Sequence, residues 1–114
     1  MIRRGEIYWI QLDPTIGAEI KKTRPALIVS NDTSNQFSDL VTLLPLTSQV
    51  KAIRPFEVLI TNGQGGLLKT SKIKCNQIRT VDKKRLIGKS FGPRVGSEVM
   101  NQVSAALKIH LELE

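Results

Sequence analysis

The sequence predicts a mainly β fold of the α+β class: a small, strongly curved, mostly antiparallel barrel with a helix at its carboxyl end. Short apolar or alternating runs of strand length recur from Glu6 to Phe91. The segments between them are too short for crossover helices, so neighbouring strands are expected to pair antiparallel. Only after Ser97 do apolar residues recur at helical spacing. This order favours a sheet that curves around a core and is closed by the terminal helix.

Three strands are predicted in the first half of the chain, at residues 6–13, 25–30 and 40–46. Five of the eight residues of the first are apolar, and it is expected to be buried on both faces or nearly so. Pro45 indicates an edge or a bulge near the end of the third strand. The two connecting segments, 14–23 and 31–39, are rich in turn-forming residues, and the second has room for one helical turn.

The second half continues the same pattern up to Gly92-Pro93. Residues 55–61 are predicted as a strand with Phe56, Val58 and Ile60 on one face, followed by a hairpin turn at Asn62-Gly63. The run "LLKTSKIKC" predicts a short strand pair or one broken strand, and "LIGKSF" predicts a further strand. "NQIRTVDKKRL" is interpreted as a polar turn that leaves the sheet. Ser97 is the expected N-cap of the helix, with Glu98 in its first turn.

The length of 114 residues predicts one domain, 1–114, with a core of its own. The lone cysteine, Cys75, excludes an internal disulfide and a cysteine zinc site. No signal-peptide pattern follows Met1, and no apolar run reaches the length of a membrane span. A cytoplasmic protein without membrane association is therefore expected.

The net charge of +7 and the pI of about 9.9 favour a polyanionic partner. General solubility or an acidic protein partner would explain the same charge, and nucleic acid is placed somewhat ahead of both. Aromatic residues make up only 4% of the chain, which argues against a broad base-stacking platform.

Several enzyme classes are excluded by composition and spacing. The only histidine, His110, falls on the last turn of the predicted helix, which suits a solvent-facing group or a cation at a helix end. The ten carboxylates show no metal-ligand spacing, and no phosphate-binding Walker loop is present. The sequence therefore predicts neither a metal nor a cofactor.

Polar side chains recur where three predicted strands begin or end: Arg24, then Thr47-Ser48-Gln49, then Lys74, Asn76 and Gln77. Strand ends on one rim of a small sheet can converge on a binding site. A guanidinium suits phosphate, and amide side chains suit base edges. Taken alone, each residue is better explained as an ordinary turn residue, so it is their recurrence together with the charge that favours nucleic-acid binding.

Four segments, in order, resemble the MazF/PemK toxin family. They are "RRGEIYWIQLDPTIGAEIKKTRPALIVSND", "VTLLPLTSQVKAIRPFEV", "KCNQIRTVDKKRLIGKSFG" and the closing "VMNQVSAALKIHLEL". The resemblance covers nearly the whole chain. It implies an SH3-like barrel, a homodimer, and the toxin of a type II toxin–antitoxin system.

The resemblance also implies an activity and a partner. The activity is sequence-specific, ribosome-independent and metal-independent cleavage of single-stranded RNA, which leaves a 2′,3′-cyclic phosphate and a 5′-hydroxyl. The partner is a cognate antitoxin whose acidic tail occupies the RNA groove. Arg24 and Thr47 match the family's catalytic arginine and threonine. A histidine and an Arg-x-Asp used by the Kid/PemK-like members are replaced here by Ala18, Lys74 and Asn76, so that version of the site is not expected.

Ten residues are candidates for RNA binding: Glu19, Lys21, Lys22, Ser48, Gln49, Pro55, Phe56, Lys74, Asn76 and Gln77. Some have equally plain structural roles, since Glu19 can pair with a neighbouring lysine and Phe56 can belong to the core. Arg79 is expected to tie a turn to the sheet, while Arg85 is left open between that role and RNA contact. Tyr8 and Trp9 are expected in the core or in a dimer interface.

Two alternatives share the predicted fold. One is a non-catalytic topoisomerase poison of the CcdB type, which binds a protein target. The other is a basic RNA-binding barrel without activity. The matches at Arg24, Thr47 and Gln77 favour the ribonuclease.

Overall fold

The computed structural model describes all residues from Met1 to Glu114 and contains seven β-strands and two α-helices. The elements are β1 (Ile7–Gln11), β2 (Thr23–Ile28), α1 (Asp32–Phe37), β3 (Leu40–Thr47), β4 (Glu57–Ile60), β5 (Ser71–Lys74), β6 (Arg79–Asp82), β7 (Leu86–Ile87) and α2 (Ser97–Leu111). Short 3₁₀ turns lie at Gln64–Gly66, Cys75–Gln77 and Lys83–Arg85. Neither α-helix combines the length and the apolar character needed to cross a membrane.

The strands form one antiparallel sheet in the order β4-β5-β3-β2-β1-β7, with β6 paired to β3. The predicted antiparallel sheet and C-terminal helix are confirmed. The strands do not close into a hydrogen-bonded ring, because β4 and β7 end the path of hydrogen-bonded strands and do not pair with each other. The sheet is therefore open.

Strand β3 is the hub of the sheet because it pairs with three others. Its first half pairs with β6, its middle with β2, and its end with β5. The last β2–β3 pair is Ala26 with Pro45, after which β3 pairs with β5 through Leu46 and Thr47. The proline predicted to mark an edge or a bulge thus lies where β3 changes partners.

The central strands contribute side chains to cores on both faces of the sheet. The prediction that β1 is buried on both faces is only partly right, because Trp9 and Gln11 are exposed. Leu44 belongs to a core of 14 buried residues that includes Val103 of α2. Its neighbour Leu43 points the other way, into a second core of 8 buried residues with Ile10 of β1. Full burial of each such aliphatic side chain contributes roughly 1.5–3 kcal/mol to folding.

Three strand predictions need correction. Residues 76–86 do not leave the sheet, because β6 lies within them and pairs with β3. Only Val81 of the four β6 residues is buried, so the alternation of apolar residues that would predict this strand is weak. The strand expected over 86–91 ends at Ile87, and Gly88 follows with a positive φ of 71°. Phe56 lies just outside β4 and is only half-buried.

Two other local predictions are partly right. Strands β4 and β5 pair antiparallel around the predicted turn, but their connection spans residues 61–70 rather than a tight hairpin. Helix α2 begins at Ser97, whereas its N-cap is Gly96 and no side chain caps it. The predicted helical turn after β2 is α1, where the side chain of Asn31 accepts a hydrogen bond from the Ser34 N–H.

Candidate nucleic-acid interface

The main polar concavity is a groove of about 500 Å³ over one end of the sheet. Its walls come from the β1–β2 loop, the β3–β4 loop and the ends of β2, β3 and β5. The lining residues are Ala18, Ile20, Arg24, Thr47, Ser48, Gln49, Lys51, Lys72, Lys74 and Gln77. Four of them are cationic and none is a carboxylate, so the groove is suited to an anionic ligand.

Strand register places three of these residues in one row. The β3–β5 pairing sets Thr47 opposite Lys72. The β2–β3 register pairs Ala26 with Pro45, and continued by two residues it sets Arg24 opposite Thr47. Neighbouring strands lie about 4.8 Å apart. A row across three strands is therefore short enough to be contacted by one phosphodiester of a bound strand and the phosphodiesters next to it.

Local structure holds Arg24 at the rim. Arg24 lies inside β2 rather than before it, with Ile10 as its partner on β1. Its Nε donates to the carbonyl oxygen of Lys21 at 2.8 Å, which leaves the two terminal nitrogens for a ligand. The next residue, Pro25, fixes its own φ and restricts Arg24 to extended geometry.

The missing N–H of Pro25 costs no ladder hydrogen bond. The Ile28 N–H donates to Glu6 O on the β1 side. Along a strand, the N–H groups of successive residues point alternately toward one neighbouring strand and the other. The nitrogen of Pro25 therefore faces β3, at the point where the β2–β3 ladder has stopped. A proline fits here, and beside Arg24 the edge of β2 that faces β3 makes no interstrand pair.

Thr47 is the last residue of β3, and its hydroxyl oxygen accepts a hydrogen bond from the Gln49 N–H at 3.2 Å. This bond shapes the start of the β3–β4 loop. The hydroxyl keeps its own proton for donation. Thr47 is therefore placed to donate a hydrogen bond into the groove.

A buried carboxylate lies beneath two of the groove cations. Glu57 Oε2 lies 2.7 Å from Lys74 Nζ, and Glu57 Oε1 lies 3.2 Å from Lys72 Nζ. The Glu57 side chain has no exposed surface, whereas those of Lys72 and Lys74 are 11% and 22% exposed. Burial by itself would raise the pKa of Glu57, but the hydrogen bonds from Lys74, the Arg54 N–H and Lys72 lower the pKa to about 2.

Two hydrogen bonds attach the β1–β2 and β3–β4 loops to β5 and the 3₁₀ turn that follows it. Gln77 Oε1 accepts the Ile20 N–H of the β1–β2 loop at 3.3 Å. Lys72 Nζ also donates to the carbonyl oxygen of Lys51 in the β3–β4 loop at 3.2 Å. Each loop that forms a wall is thus tied to β5 or to the 3₁₀ turn that follows it.

Six of the predicted RNA-binding residues do not line the groove: Glu19, Lys21, Lys22, Pro55, Phe56 and Asn76. Glu19 accepts the Ile16 N–H within its own loop and forms no ion pair with a neighbouring lysine. The Phe56 ring lies 6.4 Å from the ring of His110 on α2. The amide oxygen of Asn76 is buried without a partner.

Sequence reasoning missed Lys51, Lys72 and Glu57. A signal for Lys72 was present, because residues two apart on a strand share a face and Lys74 was already a candidate. No sequence signal marked Glu57, which stands in a short, mostly apolar strand. Its importance comes from the register, which sets it opposite Lys74.

The other singled-out residues lie outside the groove. The Arg79 guanidinium donates to Leu12 O, and that of Arg85 donates to Gln11 O and Asp13 O, so both fasten the end of β1. Tyr8 is buried, whereas Trp9 is half-exposed, with its ring 5.3 Å from that of Phe91. No group of three or more histidine, cysteine, aspartate or glutamate side chains is arranged to hold a metal ion.

Known proteins similar to this chain share both its sequence and its fold. Residues 3–111 match the family described as PemK-like, MazF-like toxin of type II toxin–antitoxin system. Endoribonuclease MazF9 of Mycobacterium tuberculosis is 38% identical over 118 residues, which cover 99% of this chain and 98% of that protein. Endoribonuclease EndoA of Bacillus subtilis is 37% identical over 114 residues, with 99% and 97% covered.

Solved structures agree with the sequence relatives. A mycobacterial endoribonuclease in complex with its cognate antitoxin superposes with a TM-score of 0.81 at 28% identity, covering 100% of this chain and 98% of that one. MazF from Deinococcus radiodurans shares the fold with a TM-score of 0.84 at 24% identity, covering 97% and 96%. The two sequence relatives and the mycobacterial structure are named as endoribonucleases, which supports the ribonuclease over the CcdB-type alternative. The chain therefore belongs to the PemK-like, MazF-like family of toxins of type II toxin–antitoxin systems.

Proposed function

We propose that this protein is a sequence-specific endoribonuclease that cleaves single-stranded RNA without ribosome or metal, with Arg24 and Thr47 as its catalytic pair. The observation that carries the proposal is that Arg24 and Thr47 share one groove, whose lining includes four cationic side chains and no carboxylate. The relatives named as endoribonucleases supply the class of reaction.

The chemistry needs no nucleophile from the protein. The 2′-hydroxyl oxygen attacks the adjacent phosphorus, an O2′–P bond forms and the P–O5′ bond breaks. The 2′-hydroxyl proton is lost and the 5′-oxygen gains a proton, so the products are a 2′,3′-cyclic phosphate and a 5′-hydroxyl. No water is consumed in this step.

Arg24 and Thr47 act on the charge that develops at phosphorus. The free guanidinium nitrogens of Arg24 donate to the non-bridging oxygens, and the Thr47 hydroxyl donates a further hydrogen bond. Such donors, fixed in place before the reaction, stabilise the transition state more than the ground state. A guanidinium stays protonated in proteins, so Arg24 acts as a donor and aligns the phosphate rather than serving as a general base.

RNA binding uses the rest of the groove. Ser48, Gln49, Lys74 and Gln77 line it and are placed to contact backbone or bases, whereas the six predicted residues outside it bind RNA only where the strand extends past the groove. The groove also suits the acidic tail of a cognate antitoxin, since it would compete with RNA for the same cations. A homodimer in the cytoplasm completes the proposal.

One experiment separates this function from its alternatives. The purified protein is incubated with a long single-stranded RNA of varied sequence in EDTA, and the ends of the fragments are mapped. We expect cuts at one short sequence with 2′,3′-cyclic phosphate and 5′-hydroxyl ends, and no cuts by the folded variant Arg24→Ala. An absence of cleavage by the wild-type protein, together with inhibition of DNA gyrase in a supercoiling assay, would overturn the proposal.

A further inference from the structure

We propose that Lys72 and Lys74, positioned by Glu57, form a second phosphate-binding subsite in the groove. The subsite binds a phosphodiester adjacent to the one that is cleaved, and as an RNA site it rests on the proposed function. Lys72 lies outside the four segments that resemble the family, and Glu57 lies within one of them without a role assigned to it. The inference comes from the geometry of strands β4 and β5.

The two lysines share one face of β5 and reach the same carboxylate. They are two residues apart, so their side chains point in the same direction. Lys74 is paired in register with Glu57 on β4, and Lys72 is paired with Thr47 on β3. This places the cationic pair directly beside the Arg24–Thr47 row.

The lysines keep donors for a ligand. An ammonium carries three N–H donors. Lys72 Nζ donates two hydrogen bonds, to Glu57 Oε1 and to the Lys51 carbonyl oxygen, and Lys74 Nζ donates one, to Glu57 Oε2. One donor of Lys72 and two of Lys74 remain, and both side chains line the groove.

The charge of the cluster is what a phosphate site needs. One lysine would be sufficient to neutralise Glu57, yet two contact it, which leaves one excess positive charge at the groove floor. Both lysine side chains are largely buried, so their attraction to an anion is screened less than at an open surface. A surface ion pair that served only stability would show neither feature.

Glu57 positions more than the two lysines. Its Oε1 also accepts the Arg54 N–H at 3.0 Å, and Lys72 holds the carbonyl of Lys51. Both backbone groups belong to the β3–β4 loop, which carries Ser48 and Gln49 into the groove. The buried carboxylate therefore fixes the subsite and one groove wall together.

The test of the subsite measures binding of the full chain to a 2′-O-methyl RNA, which lacks the attacking hydroxyl and stays intact. Affinity is measured by fluorescence anisotropy over a range of NaCl concentrations. Lys72→Gln and Lys74→Gln are each expected to reduce the slope of log K against log salt by about 0.7, the value for one lost contact to a single strand. The matched control is Lys84→Gln, which removes an exposed lysine outside the groove. Slopes for the two groove variants equal to that of the control would overturn the subsite.

The positioning role of Glu57 is tested by Glu57→Gln, which keeps an acceptor for the Arg54 N–H and removes the charge. We expect kcat to fall by on the order of tenfold while the salt slope for binding is not reduced, because both lysines persist but are no longer held. Wild-type kcat in the folded variant would overturn the positioning role. Where this variant fails to fold, the two lysine variants decide the proposal.

If the wild-type protein cleaves no RNA, the proposed function fails, while the binding series still decides whether the subsite exists.

Discussion

Arg24 of β2 and Thr47 of β3 line the same groove, beyond the last residue pair that joins their two strands. The β2–β3 ladder ends at Ala26 and Pro45, and Thr47 is hydrogen-bonded through β5 instead. The two side chains therefore flank an opening between strands rather than a closed ladder. An anion can enter this opening without breaking backbone hydrogen bonds, so the sheet can keep its structure when the groove is occupied.

The first prediction concerns the shape of the cation at this opening. Arg24→Lys keeps the positive charge but loses the planar set of donors, so we expect cleavage to fall by on the order of 10²-fold or more, with a much smaller effect on RNA binding. The measurement is single-turnover cleavage alongside binding of 2′-O-methyl RNA. Cleavage close to the wild-type rate would show that Arg24 contributes charge alone.

The second prediction concerns acid stability. The Glu57 pKa is lowered from 4.5 to about 2, so the carboxylate contributes stability that is complete above pH 4.5 and is lost as the pH falls toward 2. At most about 3 kcal/mol depends on this ionisation, by the usual conversion of a pKa shift. Urea unfolding between neutral pH and the acid range is expected to show a steeper loss of stability for wild type than for Glu57→Gln.

The matched control for that series is Asp39→Asn, which removes an exposed carboxylate whose side chain makes no hydrogen bond. Its stability profile against pH is expected to follow that of the wild type. A Glu57→Gln profile as steep as wild type would show that other carboxylates account for the acid sensitivity.

The elements that sequence predicted best are those whose signal is local. The runs that became β1 and β3 are almost wholly apolar, and helix α2 repeats apolar residues at 3.6-residue spacing. Strand β6 was missed because its burial is supplied by pairing with β3 and only Val81 is buried within it. Whether the sheet closes into a ring depends on whether β4 meets β7, and no local sequence pattern records that, so the open sheet is known only from the structure.

The site residues also fall into those with a local sequence signal and those without one. Arg24, Thr47 and Gln77 stand in recognisable motifs, and the structure brings all three to one groove. Glu57 and Lys72 acquire their roles from cross-strand neighbours far apart in sequence. Residue type and spacing along one strand do not specify which residues lie across from it on the neighbouring strand. The roles of Glu57 and Lys72 could therefore be identified only from the structure.

The third prediction concerns a close backbone approach. A Cβ at Gly66 would lie 2.2 Å from the carbonyl oxygen of Phe91, and the residue has a φ of 84°. Gly66→Ala is therefore expected to destabilise the protein by about 3 kcal/mol or more, combining backbone strain with a clash against main chain. Gly63 has a φ of 96° but open space around it, so Gly63→Ala should cost only about 1–2 kcal/mol. Equal losses in urea unfolding would contradict the contact.

The fourth prediction concerns the single thiol. Burial raises the pKa of Cys75 to about 12, and the charge of Glu57 adds to the shift. The thiol is therefore protonated and shielded in the folded protein and is expected to react with iodoacetamide only through unfolding. Labelling followed by mass spectrometry should be slow in buffer and fast in denaturing urea. Rapid labelling under native conditions would show that the 3₁₀ turn at Cys75–Gln77 opens locally.

The last prediction separates two roles of Gln77. Its amide oxygen holds the Ile20 N–H, while its amide nitrogen remains available to a base. Gln77→Glu keeps the acceptor and removes the donors, whereas Gln77→Ala removes both. If Gln77 reads a base, both variants should relax the choice of cleavage site, as measured by sequencing the ends of fragments from a complex RNA pool. If it only anchors the loop, Gln77→Glu should keep the wild-type cleavage sequence and Gln77→Ala alone should lose activity. We expect the first outcome, because the amide donors of Gln77 have no partner within the protein.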